Sequence, residues 1–399
     1  MAVAGIIAEY NPFHRGHQWQ IRRLREQLGE ETAVVAVMSG NFVQRGDFAI
    51  LSKHDRARAA LQGGVDVVLE LPTPWSTATA EQFARGGVEI LAATGVVTHL
   101  VFGSERGELA PLEAAAAALD REEYHEAVRR LLGGGMTFAA AREKAVTDLI
   151  GADAEACLSR PNNNLAVEYL RALHAAGSPM EPVTFPRVGA DHDSGELGDY
   201  SSASAIRAAI LAGEDWEALV PETTADVLRR EMEEGRAPVS MKTCERGVLA
   251  RLRMMDEEAF SEFDGGGEGL YHRFYDAVHR AVSLEEILTL TKTKRYPLAR
   301  LRRMLLHSYL GVMQAKPEQS PPYIRVLGAT ERGRAVLKDM RKLSTVPVVT
   351  KPADAVKLGE EAKELFELEV RCTDLYTLAY PELTKARPDG EYSRSPVML

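Results

Sequence analysis

Cysteine is scarce. Cys157, Cys244 and Cys372 are isolated along 399 residues and odd in number, which suggests neither a disulfide framework nor a cysteine zinc site. Long hydrophobic runs are missing as well. No stretch approaches the roughly 20 apolar residues of a membrane-crossing helix, and the apolar opening carries no basic leader, so the expected compartment is the cytoplasm. Internal repeats and low-complexity tracts are also lacking. Positive charge is short overall: a net charge of −10 argues weakly against a nucleic-acid partner. The deficit is uneven, however. Residues 1–240 hold 22 Lys and Arg against 35 Asp and Glu, whereas residues 241–399 hold 26 against 23. The second part therefore leaves room for a basic surface.

What is present is an ordinary soluble composition, 45% hydrophobic and 27% charged, with length for two or three domains. The first part alternates apolar runs with helical patterns: "AVAGIIA", "TAVVAVMSG", "VDVVLELP" and "THLVFGS" are separated by amphipathic segments from Gly16, His54 and Thr77. Strand and helix alternating at this spacing predict a parallel sheet with crossover helices, its strands buried on both faces. Helices are expected from Leu109 to Ala176, then a strand at "MEPVTFPRVG" returning to the sheet. "GADHDSGELGDYSSA" reads as a surface loop, and the serines of "SSASAIRAAILAG" suit the first turn of a helix. From Pro238 onward helical spacing dominates. The expectation is an α/β, Rossmann-like domain over 1–237 followed by a mainly α-helical domain over 238–399. The terminal "RPDGEYSRSPVML" is expected to be poorly packed.

The most informative stretch is "AEYNPFHRGHQWQ". A buried strand hands over to a helix there, and a helix start offers backbone N–H groups and a positive dipole end to an anion. His14 and His17, three apart, fall on one side of the first turn, with Gly16 allowing close approach to the backbone and Pro12 stiffening the turn. Two imidazoles so placed suit an α- or β-phosphate. A helix cap and a metal site are the competing readings, although His-x-x-His lacks the spacing and the Glu of the zinc protease motif.

"NPFHRGH" resembles the His-x-Gly-His signature of the nucleotidyltransferase superfamily. With "AVMSGNFVQRGDFAILSK", "GVDVVLELP", "FARGGVEIL", "FGSE", "RPNNNLAVEYL", "SSASAIR", "TKTKRYPLARLRRML" and "PPYIRVLG", the chain is similar over most of its length to the tRNA(Met) cytidine acetate ligase family. That resemblance implies activation of acetate by ATP and acetylation of N4 of the wobble cytidine in elongator tRNA(Met). ATP would be the nucleotide substrate, with Mg²⁺ accompanying it. The ATP-contacting segment falls on Ile7, Ala8, Glu9, Tyr10, Asn11, Pro12, Phe13, His14, Arg15, Gly16, His17, Gln18, Trp19 and Gln20, with His14 and His17 catalytic. Further nucleotide contacts fall on Gly103, Asn162 and Arg187.

Each of these also has a plainer reading. Gly103 ends a strand where open α/β sheets bind ligands, or is a turn glycine. Asn162 reads an adenine edge or ribose, or caps a helix. Arg187 pairs with phosphate, or is a surface arginine. Ser202, Ser204 and Arg207 resemble a triphosphate-binding helix start, and the serines alone suit caps. Lys53 either approaches substrate or is a solvated loop lysine. Two positions depart from the family pattern: Arg15 stands where Asn is frequent, and Asn164 where a hydrophobic residue is usual.

"TKTKRYPLARLRRML" carries Lys292, Lys294, Arg295, Arg300, Arg302 and Arg303 without an acid, and Tyr296 is available for stacking. It suits an RNA backbone, or is a solvated basic helix. Two rival functions use parts of the same pattern: adenylylation of a small molecule, and RNA binding without catalysis. The sequence does not specify the oligomeric state.

Overall fold

The computed structural model describes residues 2–151, 158, 160–186, 200–265, 269–355 and 357–399. Its centre is a sheet in the order β10-β8-β5-β2-β1-β6-β7, with β9 also paired to β8. The strands are β1 (Val3–Ala8), β2 (Ala33–Ser39), β5 (Val67–Leu71), β6 (His99–Ser104) and β7 (Glu181–Pro186), then β8 (Ile324–Ala329), β9 (Val348–Val349) and β10 (Val397–Met398). A separate antiparallel hairpin joins β3 (Phe42–Val43) and β4 (Asp47–Phe48).

Burial on both faces explains the composition of the strands. Every residue of β2 is buried, and along β1 the side chains alternate between two cores. Val3 and Ile7 join the core containing Phe83, Leu91 and Phe102; Ala4 and Ile6 join the one containing Ile21, Leu24 and Leu61. A strand has a side-chain period of two, so a strand flanked by helices needs apolar residues on both phases. The expected helices appear at Arg15–Leu28, Lys53–Gln62 and Ala80–Ala93, and the strand expected near Met180 is β7, parallel to β6.

The chain runs outward from β1 through β2 to β5, then returns to place β6 on the other side of β1. This reversal leaves a crevice beyond the carboxyl ends of β1 and β6, the position at which open α/β sheets accept ligands.

After Pro238 the chain is mainly helical, and a third core gathers Val248, Phe274, Leu301 and Tyr309 around Phe42 and Phe48 of the hairpin. The sheet nevertheless crosses the expected boundary at 237/238: β8 pairs antiparallel with β5, and β10 pairs parallel with β8. The terminal segment, expected to be poorly packed, is mostly exposed but anchored at two points. Val397 is buried on the sheet edge, and Glu391 has no exposed surface because two buried cations face it. The physical reason is that β10 covers an otherwise unpaired strand edge.

Candidate active site

The loop between β1 and the helix Arg15–Leu28 is held from several sides. Asn11 Oδ1 accepts from the Ile50 amide at 2.8 Å, and the Asn11 carbonyl accepts from Arg207 Nη1 at 2.8 Å. Tyr10 lies at φ 45° and is buried against Phe13 and His17, with ring centroids 5.1 and 4.8 Å away. Burial of Phe13, fully enclosed, contributes on the order of 2 kcal/mol to pinning the loop.

His14 caps the helix, and His17 returns the favour. His14 Nδ1 accepts from the Gly16 amide at 3.1 Å, and His17 Nδ1 accepts from the His14 amide at 3.2 Å. The two rings stack with centroids 3.7 Å apart. A ring nitrogen that accepts a hydrogen bond carries no proton, so this geometry assigns the proton of each neutral imidazole to Nε2. The capping reading and the phosphate reading are therefore compatible: Nδ1 serves the backbone and Nε2–H serves as a donor. Gly16 has a specific task. A Cβ at that position would come within 2.9 Å of His14 Cε1, so the small residue makes room for the folded-back His14 ring as well as for a ligand.

Both histidines line a cavity of about 330 Å³ at the crevice beside β1 and β6. Of the predicted segment, Ile7, Ala8, Glu9, Tyr10, Asn11, Gly16, Trp19 and Gln20 line it too, whereas Pro12 and Phe13 are buried outside its lining. Arg15 and Gln18 face a different, larger cavity of about 490 Å³ on the far side of Trp19. Gly103 lies at the cavity wall opposite Phe185 in the sheet register. Asn162 reaches the cavity but does not cap its helix. Its Nδ2 donates to Glu105 Oε1 at 3.1 Å, Glu105 Oε2 accepts from the Asn163 amide at 3.0 Å, and Asn163 Oδ1 accepts from the Glu105 amide at 2.9 Å. This exchange ties "FGSE" to "RPNNN". Asn164 also lines the cavity, with its Oδ1 buried and lacking a hydrogen-bond partner among the described residues.

Ser202 caps the helix Ala203–Ala212 by accepting from the Ala205 amide at 3.2 Å, and it contributes to the cavity lining; its hydroxyl lies 3.1 Å from that of Ser204. Arg207 lines the cavity, with burial lowering the pKa of its guanidinium and the Glu9 and Asp47 charges opposing that shift. Arg187 lies outside the described residues.

Sequence reasoning missed Gln44 and Arg45, which bring the β3–β4 hairpin to the cavity. Gln44 is held there because its amide donates to Glu9 Oε1 at 2.9 Å. The only signal for this pair was their place in a Gly- and Asn-containing turn after a buried strand.

Two expectations are corrected. Lys53 does not approach the cavity and is not solvated. It is 1% exposed, and its Nζ lies 2.6 Å from Glu70 Oε1 and 3.0 Å from Glu391 Oε1. An ammonium taken out of water needs such compensation. Tyr296 is not open to a base: it is 9% exposed, and the Arg300 guanidinium lies 5.5 Å from its ring centroid. Arg300 in turn pairs with buried Asp264 at 2.9 Å. Lys292, Lys294, Arg295 and Arg302 are exposed, whereas Arg303 is partly covered and burial pushes it down to about 10. The helix Leu298–Leu310 meets the hairpin at Gly46 (φ +75°), where a Cβ would lie 2.5 Å from the Arg302 carbonyl carbon. The basic helix and the cavity wall are thus in direct contact through one hairpin.

Among the described residues, no helix is long and apolar enough to cross a membrane, and no cluster of three or more His, Cys, Asp or Glu is arranged to hold a metal.

The chain is similar to known proteins over most or all of its length. The HIGH Nucleotidyl Transferase family model matches residues 1–390. The tRNA(Met) cytidine acetate ligase of Syntrophomonas wolfei is 36% identical, with 100% of this chain and 99% of that protein covered. The same-named protein of Caldicellulosiruptor saccharolyticus is 39% identical over 96% of both. The apo structure of Thermotoga maritima TmcAL superposes with a TM-score of 0.95 at 34% identity, and the structure bound with alpha-thio ATP with 0.92 at 35%, each covering 100% of both chains. This chain belongs to the HIGH nucleotidyl transferase family and, within it, to the tRNA(Met) cytidine acetate ligases.

Proposed function

We propose that the protein activates acetate with ATP and transfers the acetyl group to N4 of the wobble cytidine of elongator tRNA(Met). The observation that carries this reading is the stacked His14–His17 pair, each Nδ1 engaged by a backbone N–H, at a crevice beside β1 in a chain of this family. In the first step an acetate oxygen attacks the α-phosphorus and the bond to pyrophosphate breaks. The two Nε2–H groups and the helix start face the negative charge that grows on the phosphate oxygens, and such donors act most strongly in a site that excludes water. Arg207 and Ser202, which also line the cavity, would take the β- and γ-phosphates.

In the second step the cytidine amine attacks the acetyl carbonyl, AMP leaves, and the amine gives up a proton. Holding the two reactants together supplies much of the rate because the adenylate is already activated. No cysteine acyl-enzyme is needed, and Cys244 and Cys372 are buried. Mg²⁺ fits the site as an ion carried by the triphosphate. Among the described cavity-lining residues Glu9 is the one acid, and magnesium is commonly held by one or two carboxylates together with substrate phosphates. It would supply charge neutralisation on the leaving pyrophosphate.

Residues 1–237 would carry adenylate formation, and the exposed cations of 238–399 would engage the tRNA backbone in the cytoplasm. The decisive experiment incubates the protein with ATP, radiolabelled acetate and total bacterial tRNA, followed by nucleoside analysis. Label in N4-acetylcytidine is expected. ATP consumption with label in some other acceptor would replace this reading with small-molecule adenylylation, and tRNA binding without turnover would replace it with a non-catalytic role.

A further inference from the structure

We propose that the cavity on the far side of Trp19 is a second nucleotide subsite, which holds an RNA residue next to the cytidine being acetylated. The proposal rests on the tRNA reading above and adds to it where the strand lies.

The helix Arg15–Leu28 separates the two cavities. With 3.6 residues per turn, positions 14 and 17 share one stripe and positions 15, 18, 19 and 22 share its neighbour. The structure follows that division: His14 and His17 face the smaller cavity, Arg15 and Arg22 face the larger, and Trp19 lines both. Among the described residues, Trp19 is the side chain common to both linings. A strand whose cytidine enters the smaller cavity has its next residue at the mouth of the larger one.

The chemistry of the larger cavity suits that residue. Its volume, about 490 Å³, is within the range of small-ligand sites. Trp19 and Tyr200 supply aromatic surfaces, and Arg15 and Arg22 supply exposed guanidinium groups for phosphate or for stacking. Unstacked bases of single-stranded RNA are held by this combination of aromatic and arginine surfaces. Glu222, the acid among the described lining residues, pairs with Arg229 on the surface. Pro221 and Thr223 complete the described lining. An enzyme that acts on an exocyclic amine must take the base out of its stack, and the neighbouring base then needs a new surface.

The test uses the full-length protein and elongator tRNA(Met), with Arg22→Glu and Tyr200→Ala. Arg22 is exposed, so its reversal leaves the buried face of the helix, Ile21 and Leu24, untouched. Two quantities are read: tRNA dissociation constant, and acetate-dependent ATP–pyrophosphate exchange, which needs no tRNA. The expected result is about a tenfold or greater weakening of tRNA binding in each variant with exchange within about twofold of wild type, and a shallower salt dependence for Arg22→Glu. Unchanged tRNA affinity in both variants, in a protein whose wild type acetylates tRNA, overturns the subsite. Exchange that falls together with tRNA affinity also overturns it, because the cavity then serves ATP. A wild type that adenylates acetate but leaves tRNA unmodified overturns the parent reading, and the subsite with it.

Discussion

Two groups of polar and charged side chains lie around the same sheet, and they are organised in opposite ways. Around the smaller cavity, His14, His17, Glu9 and Arg207 surround an open volume. Near β5 and β8, Lys53, Glu70, Arg325, Glu369 and Glu391 surround one another. Arg325 Nη2 lies 2.6 Å from Glu391 Oε1, and Glu369 accepts from the Thr73 amide and hydroxyl at 2.6 and 2.9 Å. Burial, with the neighbouring Glu70 charge, pushes Glu369 up to about 7. The second group is richer in charge, yet its charges are spent on each other and on joining residues 53–70 to residues 325–391. Charge density is therefore a poor guide to function here. What marks the site is polar capacity directed into a volume that protein does not fill.

The largest expected effect comes from the sealed group. Lys53→Met leaves Glu70 and Glu391 short of a cation and should cost about 3–5 kcal/mol of stability. Urea unfolding at pH 7 measures it. A variant that folds as wild type but loses adenylate formation would show that the sealed group does chemistry and would erase the distinction drawn between the two regions.

His17→Ala should reverse that pattern. Loss of its Nε2 donor, and of the acceptor for the His14 amide, should lower acetate-dependent ATP–pyrophosphate exchange about 100- to 1,000-fold with little change in tRNA affinity. A fall of less than fivefold would remove the histidine pair from the mechanism.

The smallest effect concerns His307, which is buried and lies with Nε2 2.9 Å from Thr77 Oγ1. Burial, reinforced by the charge of Arg303, lowers its pKa to about 4. A base with a depressed folded pKa contributes stability that is fully present above its unfolded pKa, about 6.5, and lost as pH falls toward 4. The folded state should be about 2 kcal/mol less favoured by this group at pH 5 than at pH 7. Thermal melts of wild type and His307→Gln at both pH values measure it, and an acid limb of equal steepness in the two proteins would assign that loss to other groups.

Much of the cavity was legible locally. The handover from "AGIIA" to "GHQWQ" is a change from period two to period 3.6, and the spacing of His14 and His17 follows from helix geometry. Ser202 as a helix cap was legible for the same reason, since a cap is settled within four residues. The residues that sequence reasoning misplaced are those whose environment is made elsewhere. Lys53 reads as a surface lysine until Glu391, at the other end of the chain, is set against it. Tyr296 reads as a stacking platform until Arg300, itself directed by Asp264, covers it.

By itself, then, the sequence determined where strands turn into helices, which stripe of the first helix carries imidazoles and which carries arginines, and that the strands are buried on both faces. These are short-range consequences of backbone period and side-chain polarity. Tertiary structure alone decided that β8 and β10 complete the sheet, that the hairpin brings Arg45 to the cavity and touches the basic helix, and that five charged groups seal one another. Those outcomes depend on which distant segments share a desolvated space, and in that space a charge is stable only beside a partner that no local pattern names.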